Sequence, residues 1–162
     1  MSQVIAEETF ALAKYGRIWR VSHAWEMAAA ATFHFGFVVG ERDMIALSRE
    51  YFTMSTALKV ELFQATWSAG SPAKTINRRL EFKDLPPPVQ WHQGVTPGAL
   101  GTAITGFEIE STSSNRIGKD GDKEPFIHTA MTSYVLQVTH TGSGTQPFTF
   151  AADYRIKNPQ EY

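Results

Sequence analysis

The stretch from which the fold is most readily read is Ser133–Tyr154, SYVLQVTHTGSGTQPFTFAADY. Tyr134, Leu136 and Val138 share one parity; Val135, Gln137 and Thr139 take the other. Beyond the GSG at Gly142–Gly144, Phe148, Phe150, Ala152 and Tyr154 lie opposite Thr149, Ala151, Asp153 and Arg155. An extended chain sends successive side chains to opposite faces, so each run is built to bury one of them. Two such runs around a glycine-rich turn are expected to pair as a closing β-hairpin.

The same period recurs upstream. In TFHFGFVVG (Thr32–Gly40), Phe33, Phe35, Phe37 and Val39 alternate with His34, Gly36 and Val38, which predicts a strongly aromatic inward face. Leu58, Val60 and Leu62 oppose Lys59, Glu61 and Phe63 in a half-buried strand. Tyr15–Val21 reads as a first strand, and the Ala-rich Ser22–Ala31 as a short helical turn or an irregular connection. Asp43–Phe52 suits a capped helix or a strand, and strand is the preferred reading. Ala103–Ser114 alternates again, while NRIGKDGDKEP (Asn115–Pro125) is the most polar segment and is read as an exposed loop. The triplet Pro86–Pro88 favours polyproline II and excludes a central strand or helix.

Seven or eight short strands with Gly and Pro punctuation predict an all-β fold: a single antiparallel β-sandwich or jelly-roll-like domain with at most one short helix. At 162 residues and 43% hydrophobic composition, the chain can fill one substantial core. Residues 1–12 are read as a flexible N-terminal arm and 13–158 as the sandwich. A net charge of −1 gives no general attraction to nucleic acid or anionic lipid. No run approaches the roughly 18–20 apolar residues of a membrane span. The opening MSQVIAEETF carries acids where a secretory leader is basic and then apolar, so synthesis in the cytoplasm is expected.

Catalytic and cofactor chemistry finds little purchase. The chain has no cysteine, which excludes disulfides, thiolate nucleophiles and Cys-based metal sites. His23, His34, His92, His128 and His140 show no metal-ligand spacing, so no metal is assigned. KDGDKE (Lys119–Glu124) spaces three acids like half of a calcium loop, but Pro125 interrupts it and an Asp-Gly turn accounts for the same residues. Glu61, Glu108 and Asp153 lie on different strands and are too generic to mark sugar hydrolysis. No catalytic residue and no cofactor is assigned, and the protein is read as non-enzymatic. The interface candidates are Arg78 and Arg79, whose forked guanidinium groups suit carbonyls, carboxylates or a partner chain, the exposed triplet Pro86, Pro87 and Pro88, and Trp91. Of the four tryptophans, Trp91 is expected to be the most exposed because it follows the prolines.

Three blocks together resemble a diffuse family of small tailed-phage virion proteins. LKVELFQATWSAGSPAKTINRR (Leu58–Arg79) is similar to their core strand, loop and Asn-Arg motif. YVLQVTHTGSGTQPFTFAADYRI (Tyr134–Ile156) is similar to their final pair of strands, and GRIWRVSHAW (Gly16–Trp25) fits more loosely. The usual Asn-x-Asn-Arg is INRR here, the penultimate-strand Arg is Gln137, and the terminal WYE is Ala152–Tyr154. The resemblance implies a bacteriophage virion structural protein, a capsid decoration (cement) protein located in the virion, with the major capsid protein or other virion proteins as partners. It also implies a homo-oligomer, with a trimer favoured. The rival readings are a glycan- or receptor-binding module of a tail or fibre acting through Trp91 or Trp25, and a jelly-roll hydrolase or cupin-like metal protein.

Overall fold

The computed structural model describes residues 15–54, 57–82, 84–109, 115–120 and 126–158. Its strands are β1 (Trp19–Met27), β2 (Thr32–Val38), β3 (Met44–Met54), β4 (Leu58–Gln64), β5 (Trp67–Ser68), β6 (Ser71–Pro72) and β7 (Lys74–Asn77). A 3-10 turn at Leu80–Phe82 is followed by β8 (Trp91–Gln93), β9 (Thr96–Pro97), β10 (Thr105–Ile109), β11 (Asn115–Asp120), β12 (Phe126–His128), β13 (Ser133–His140) and β14 (Gln146–Ile156). One sheet runs β11-β3-β14-β1-β7, with β12 also on β3, and the other runs β10-β4-β13-β2-β8-β6. All these pairings are antiparallel.

The long strands pair from the outside inwards. β1 lies beside β14, β2 beside β13, β3 beside β11 and β12, and β4 beside β10. Four nested pairs rolled into two packed sheets make a jelly roll. The chain between β4 and β10 returns to lengthen both sheets, with β7 added to β1 and β8 to β2.

This nesting corrects the hairpin expectation for Ser133–Tyr154. β13 sits between β4 and β2, and β14 between β3 and β1, so the two strands belong to opposite sheets. Period-two alternation reports that one face is buried and is silent about which strand lies alongside. The crossing is organised by buried His140. Its Nδ1 accepts the Gly142 N–H at 3.1 Å, so the ring proton sits on Nε2, which donates to the Gly144 carbonyl at 2.8 Å.

Between the sheets lies an aromatic core. Phe35 meets Phe150 at 4.8 Å between ring centroids, Tyr51 meets Phe150 at 5.2 Å, and Trp91 stacks on Phe37 at 4.0 Å. Phe35, Phe37 and Val39 are buried on the predicted face, and so are Leu58, Val60 and Leu62. The segment after Asp43 is strand, β3 from Met44, and the Asp43 carboxylate accepts the Ala130 N–H at 2.8 Å instead of capping a helix.

Other local expectations give way to tertiary pairing. The first strand begins at Trp19, later than Tyr15, and takes in Ser22–Met27 through its nine-residue register with β14. The alanine run Ala28–Ala31 is an irregular connection, with the Ala31 N–H donating to the Ala28 carbonyl at 3.1 Å. Asn115–Asp120, expected in a loop, forms edge strand β11 on β3. An edge strand needs backbone partners on one side and no apolar face, so polarity alone does not exclude one. The rest of the calcium-like pattern, 121–124, lies outside the described residues, as does the arm at 1–12.

A second, smaller core covers the outer face of the β13 sheet. The β5–β9 ribbon lays Trp67 across that face, beside Phe63, Ala65, Val135, Leu100 and Ala103. Gly36 makes this possible: a Cβ there would lie 2.5 Å from the Trp67 ring.

Candidate interaction surface

The residues after β7 are fixed by one buried amide. Asn77 Nδ2 donates to the Gly16 carbonyl at 2.7 Å, and its Oδ1 accepts the Arg79 N–H at 2.9 Å. The side chain thereby joins the incoming chain to the turn that starts the 3-10 segment. Gly16 is in the left-handed region at φ 69°, and Phe82 packs so closely over it that a Cβ would meet the ring at 2.5 Å. The Arg79 guanidinium lies over the Phe82 ring, 5.1 Å from its centroid, and reaches Glu81 at 2.7 Å.

Arg78 turns towards the sandwich. Its Nη1 donates to Asp153 at 3.3 Å, while Arg20 grips the same carboxylate with Nε at 2.8 Å and Nη2 at 2.9 Å. These hydrogen bonds raise the Arg20 guanidinium above its ordinary value, against the opposing effect of burial. Asp153 itself is buried on β14. Asp153→Asn is expected to destabilise the protein by about 1.5 kcal/mol, the lower end for hydrogen bonds to charged groups, because both arginines keep contact with water. A thermal melt of the variant equal to wild type would show that the cluster adds nothing.

The far end of the loop is held as firmly. Val89 is buried, and its carbonyl accepts the Tyr154 hydroxyl at 2.7 Å. Gln90 Nε2 donates to the Ala73 and Trp91 carbonyls. Burial pushes the Tyr154 phenol well above its ordinary range, so it remains a donor. Between these anchors the chain stands out from the fold. Leu80 is 68% exposed and Leu85 53%, with Pro86 and Pro88 exposed beside them. Tyr15, next to Gly16, is 65% exposed. The Leu85 N–H donates to the Phe82 carbonyl at 3.1 Å, which holds Leu85 to the 3-10 turn that carries Leu80, and Phe82 packs over Gly16, the neighbour of Tyr15.

Of the interface candidates, Arg78, Arg79 and Pro86–Pro88 all lie on this loop. Trp91 does not join them. It is 1% exposed, a core residue, because Val89 draws the chain back inside immediately after the prolines and Trp91 pairs with Phe37 on β2. The expectation that it is the most exposed tryptophan is therefore corrected. Trp25 is half-buried, stacked on Phe33 at 4.7 Å. The apolar members Tyr15, Leu80 and Leu85 escaped the sequence reading. Leu85 offered a signal, since the residue before a proline is disfavoured in a helix and the three prolines that follow it exclude a central strand.

The histidines are scattered. His23 stacks on Phe33, and burial lowers its pKa; His34 bonds Gln137 at 2.9 Å; His92 packs on Trp67. His128 lies between Phe37 and Tyr134. Among the described residues, no three His, Asp or Glu side chains come together in a metal-binding group.

No family model matches the chain, and no curated protein does. Among solved structures it is similar to the Yersinia pseudotuberculosis-derived mitogen at 11% identity and TM-score 0.36, covering 88% of this chain and 89% of that one. It is similar to PirA at 6% identity and TM-score 0.40, covering 85% and 94%. It is also similar to a chain of the cowpea mosaic virus top component, naturally occurring empty particles, at 9% identity and TM-score 0.40, covering 87% and 86%. At these TM-scores the likenesses assign no function.

Proposed function

We propose that this protein is a non-enzymatic virion structural protein of a tailed phage, a capsid decoration protein that docks on the major capsid protein through the surface around Phe82. The observation that carries the reading is the set of exposed apolar side chains: Leu80 and Leu85 on a loop braced at both ends, and Tyr15 beside Gly16, which Asn77 ties to that loop. A monomer gains nothing from holding such groups rigidly in water, whereas an assembly surface gains a preformed contact. The resemblance of Leu58–Arg79 and Tyr134–Ile156 to virion proteins supports the same reading. The glycan-binding rival loses Trp91, its preferred platform, to the core.

The test is co-sedimentation with undecorated shells of the encoding phage. Wild type is expected to bind saturably at a fixed ratio to the shell protein. Leu80→Glu with Leu85→Glu is expected to weaken binding at least about 10-fold, since two apolar contacts worth roughly 1.5 kcal/mol or more each are lost. Absence of binding by folded wild type would sink the decoration reading.

A further inference from the structure

We infer that β12 and the two residues after it, 126–130, form an acid-released latch: the segment docks on the edge of β3 while the His128 ring is neutral and lifts away when that ring takes up a proton, with the two sheets still packed. The ring is 2% exposed and lies edge-on to Phe37 of β2 and Tyr134 of β13. Its Nε2 is buried and has no hydrogen-bond partner among the described residues. An imidazolium there would bring a charge between aromatic rings with no acceptor at Nε2. The groups around it give no relief. Arg49 of β3 is positive, the Tyr134 hydroxyl accepts the Thr129 N–H, and β2 presents the uncharged Phe37 ring.

The rest of the segment is lightly attached. β12 lies at the sheet edge, pairs over three residues with β3, and leaves Ile127 60% exposed. Beyond it the Thr129 N–H donates to the Tyr134 hydroxyl at 2.9 Å, and the Ala130 N–H to the Asp43 carboxylate, which also lies 3.8 Å from the Lys157 ammonium. Met131, at φ 57°, then turns the chain into β13. Removing the three β12 pairs leaves β3 bonded to β14, and β13 bonded to both β2 and β4, so release needs only a local opening. Undocked, the His128 ring returns to water and its ordinary pKa of 6.5, against about 3 in place. The docked segment binds fewer protons, so docking is complete above about pH 6.5 and weakens as the pH falls towards about 3. Between pH 7 and pH 5 the undocked population is expected to rise about 25-fold. Release uncovers the Phe37 and Tyr134 rings at this end of the sandwich.

The experiment is amide hydrogen exchange on the full-length protein at pH 7 and pH 5, each with a series of low urea concentrations. The Thr129 N–H reports the latch, and Phe150, bonded on β14 between β1 and β3, reports the sandwich. In wild type, Thr129 protection is expected to be lower than that of Phe150, nearly independent of urea because little surface opens, and about 25-fold lower at pH 5 than at pH 7. In His128→Phe the Thr129 protection is expected to be equal at the two pH values. In Asp43→Asn the drop is expected to persist, which assigns it to the imidazole and not to the neighbouring carboxylate. Thr129 exchanging with the protection and urea dependence of Phe150 would mean that the segment leaves only on global unfolding and would overturn the latch. So would an undiminished drop in His128→Phe, or its loss in Asp43→Asn. The urea comparison is read on wild type alone and needs no variant to fold.

Discussion

Trp91→Ala is expected to destabilise the protein by about 3–5 kcal/mol, the largest effect of any single truncation considered. The indole is 1% exposed, stacks on Phe37 at 4.0 Å and lies 5.6 Å from Phe150, so its removal opens a cavity where both sheets meet the loop from Val89. Native proteins are typically stable by only about 5–15 kcal/mol, so the variant should unfold at much lower urea concentration. Trp91→Phe should cost less than the alanine change. It keeps a ring against Phe37 and deletes the indole N–H, a buried donor with no partner. Urea midpoints of the three proteins provide the test. An alanine variant as stable as wild type would mean that the indole lies outside the core, as its position after the prolines first suggests.

The second large effect is acid sensitivity from His128. Burial, then the charge of Arg49, lowers its pKa to about 3 from the ordinary 6.5. The folded state therefore binds fewer protons than the unfolded chain between those values. The neutral ring's contribution is complete above about pH 6.5 and is lost progressively as the pH falls towards about 3. By linkage, the loss at pH 5 is about 2 kcal/mol from this residue alone. The ring sits edge-on to Phe37 and Tyr134, and the Tyr134 hydroxyl accepts the Thr129 N–H at 2.9 Å. An aromatic replacement, His128→Phe, fits the same surroundings without a titrating group. Wild type should lose about 2 kcal/mol more than His128→Phe between pH 7 and pH 5, measured by urea unfolding at each pH. Because carboxylates and His23 titrate in both proteins, the difference isolates His128. Equal losses would show that His128 is accessible to protons in the native state.

Much of the sandwich was legible because burial on one side writes itself into alternation. Phe35 and Phe37, Leu58 through Leu62, and Phe148 through Tyr154 took the faces their parity assigned. Partner choice was not legible, since a strand's own pattern is the same whichever neighbour it bonds; hence β13 and β14 read as a hairpin and lie in opposite sheets. Asn115–Asp120 failed for a related reason, because an edge strand is held by backbone bonds that carry no side-chain signature. At the surface, Asn77, Arg78, Arg79 and the prolines announced a loop through turn chemistry. Nothing in the sequence marked Leu80 as exposed, and it is the anchors at Gly16 and Val89 that show the loop carrying Leu80 and Leu85 to be held outside the core.

The nesting of first strand against last has a consequence for synthesis. Arg20 meets Asp153 across 133 residues, and β1 finds its main partner only in β14. Neither sheet can close until β13 and β14 have left the ribosome, and until then the phenylalanines of β2 have no complete opposing sheet. Such remote pairing places the protein among slow folders, on the order of milliseconds to seconds. Its period of greatest exposure to aggregation therefore comes during translation, when chaperones that shield aromatic strands would matter most.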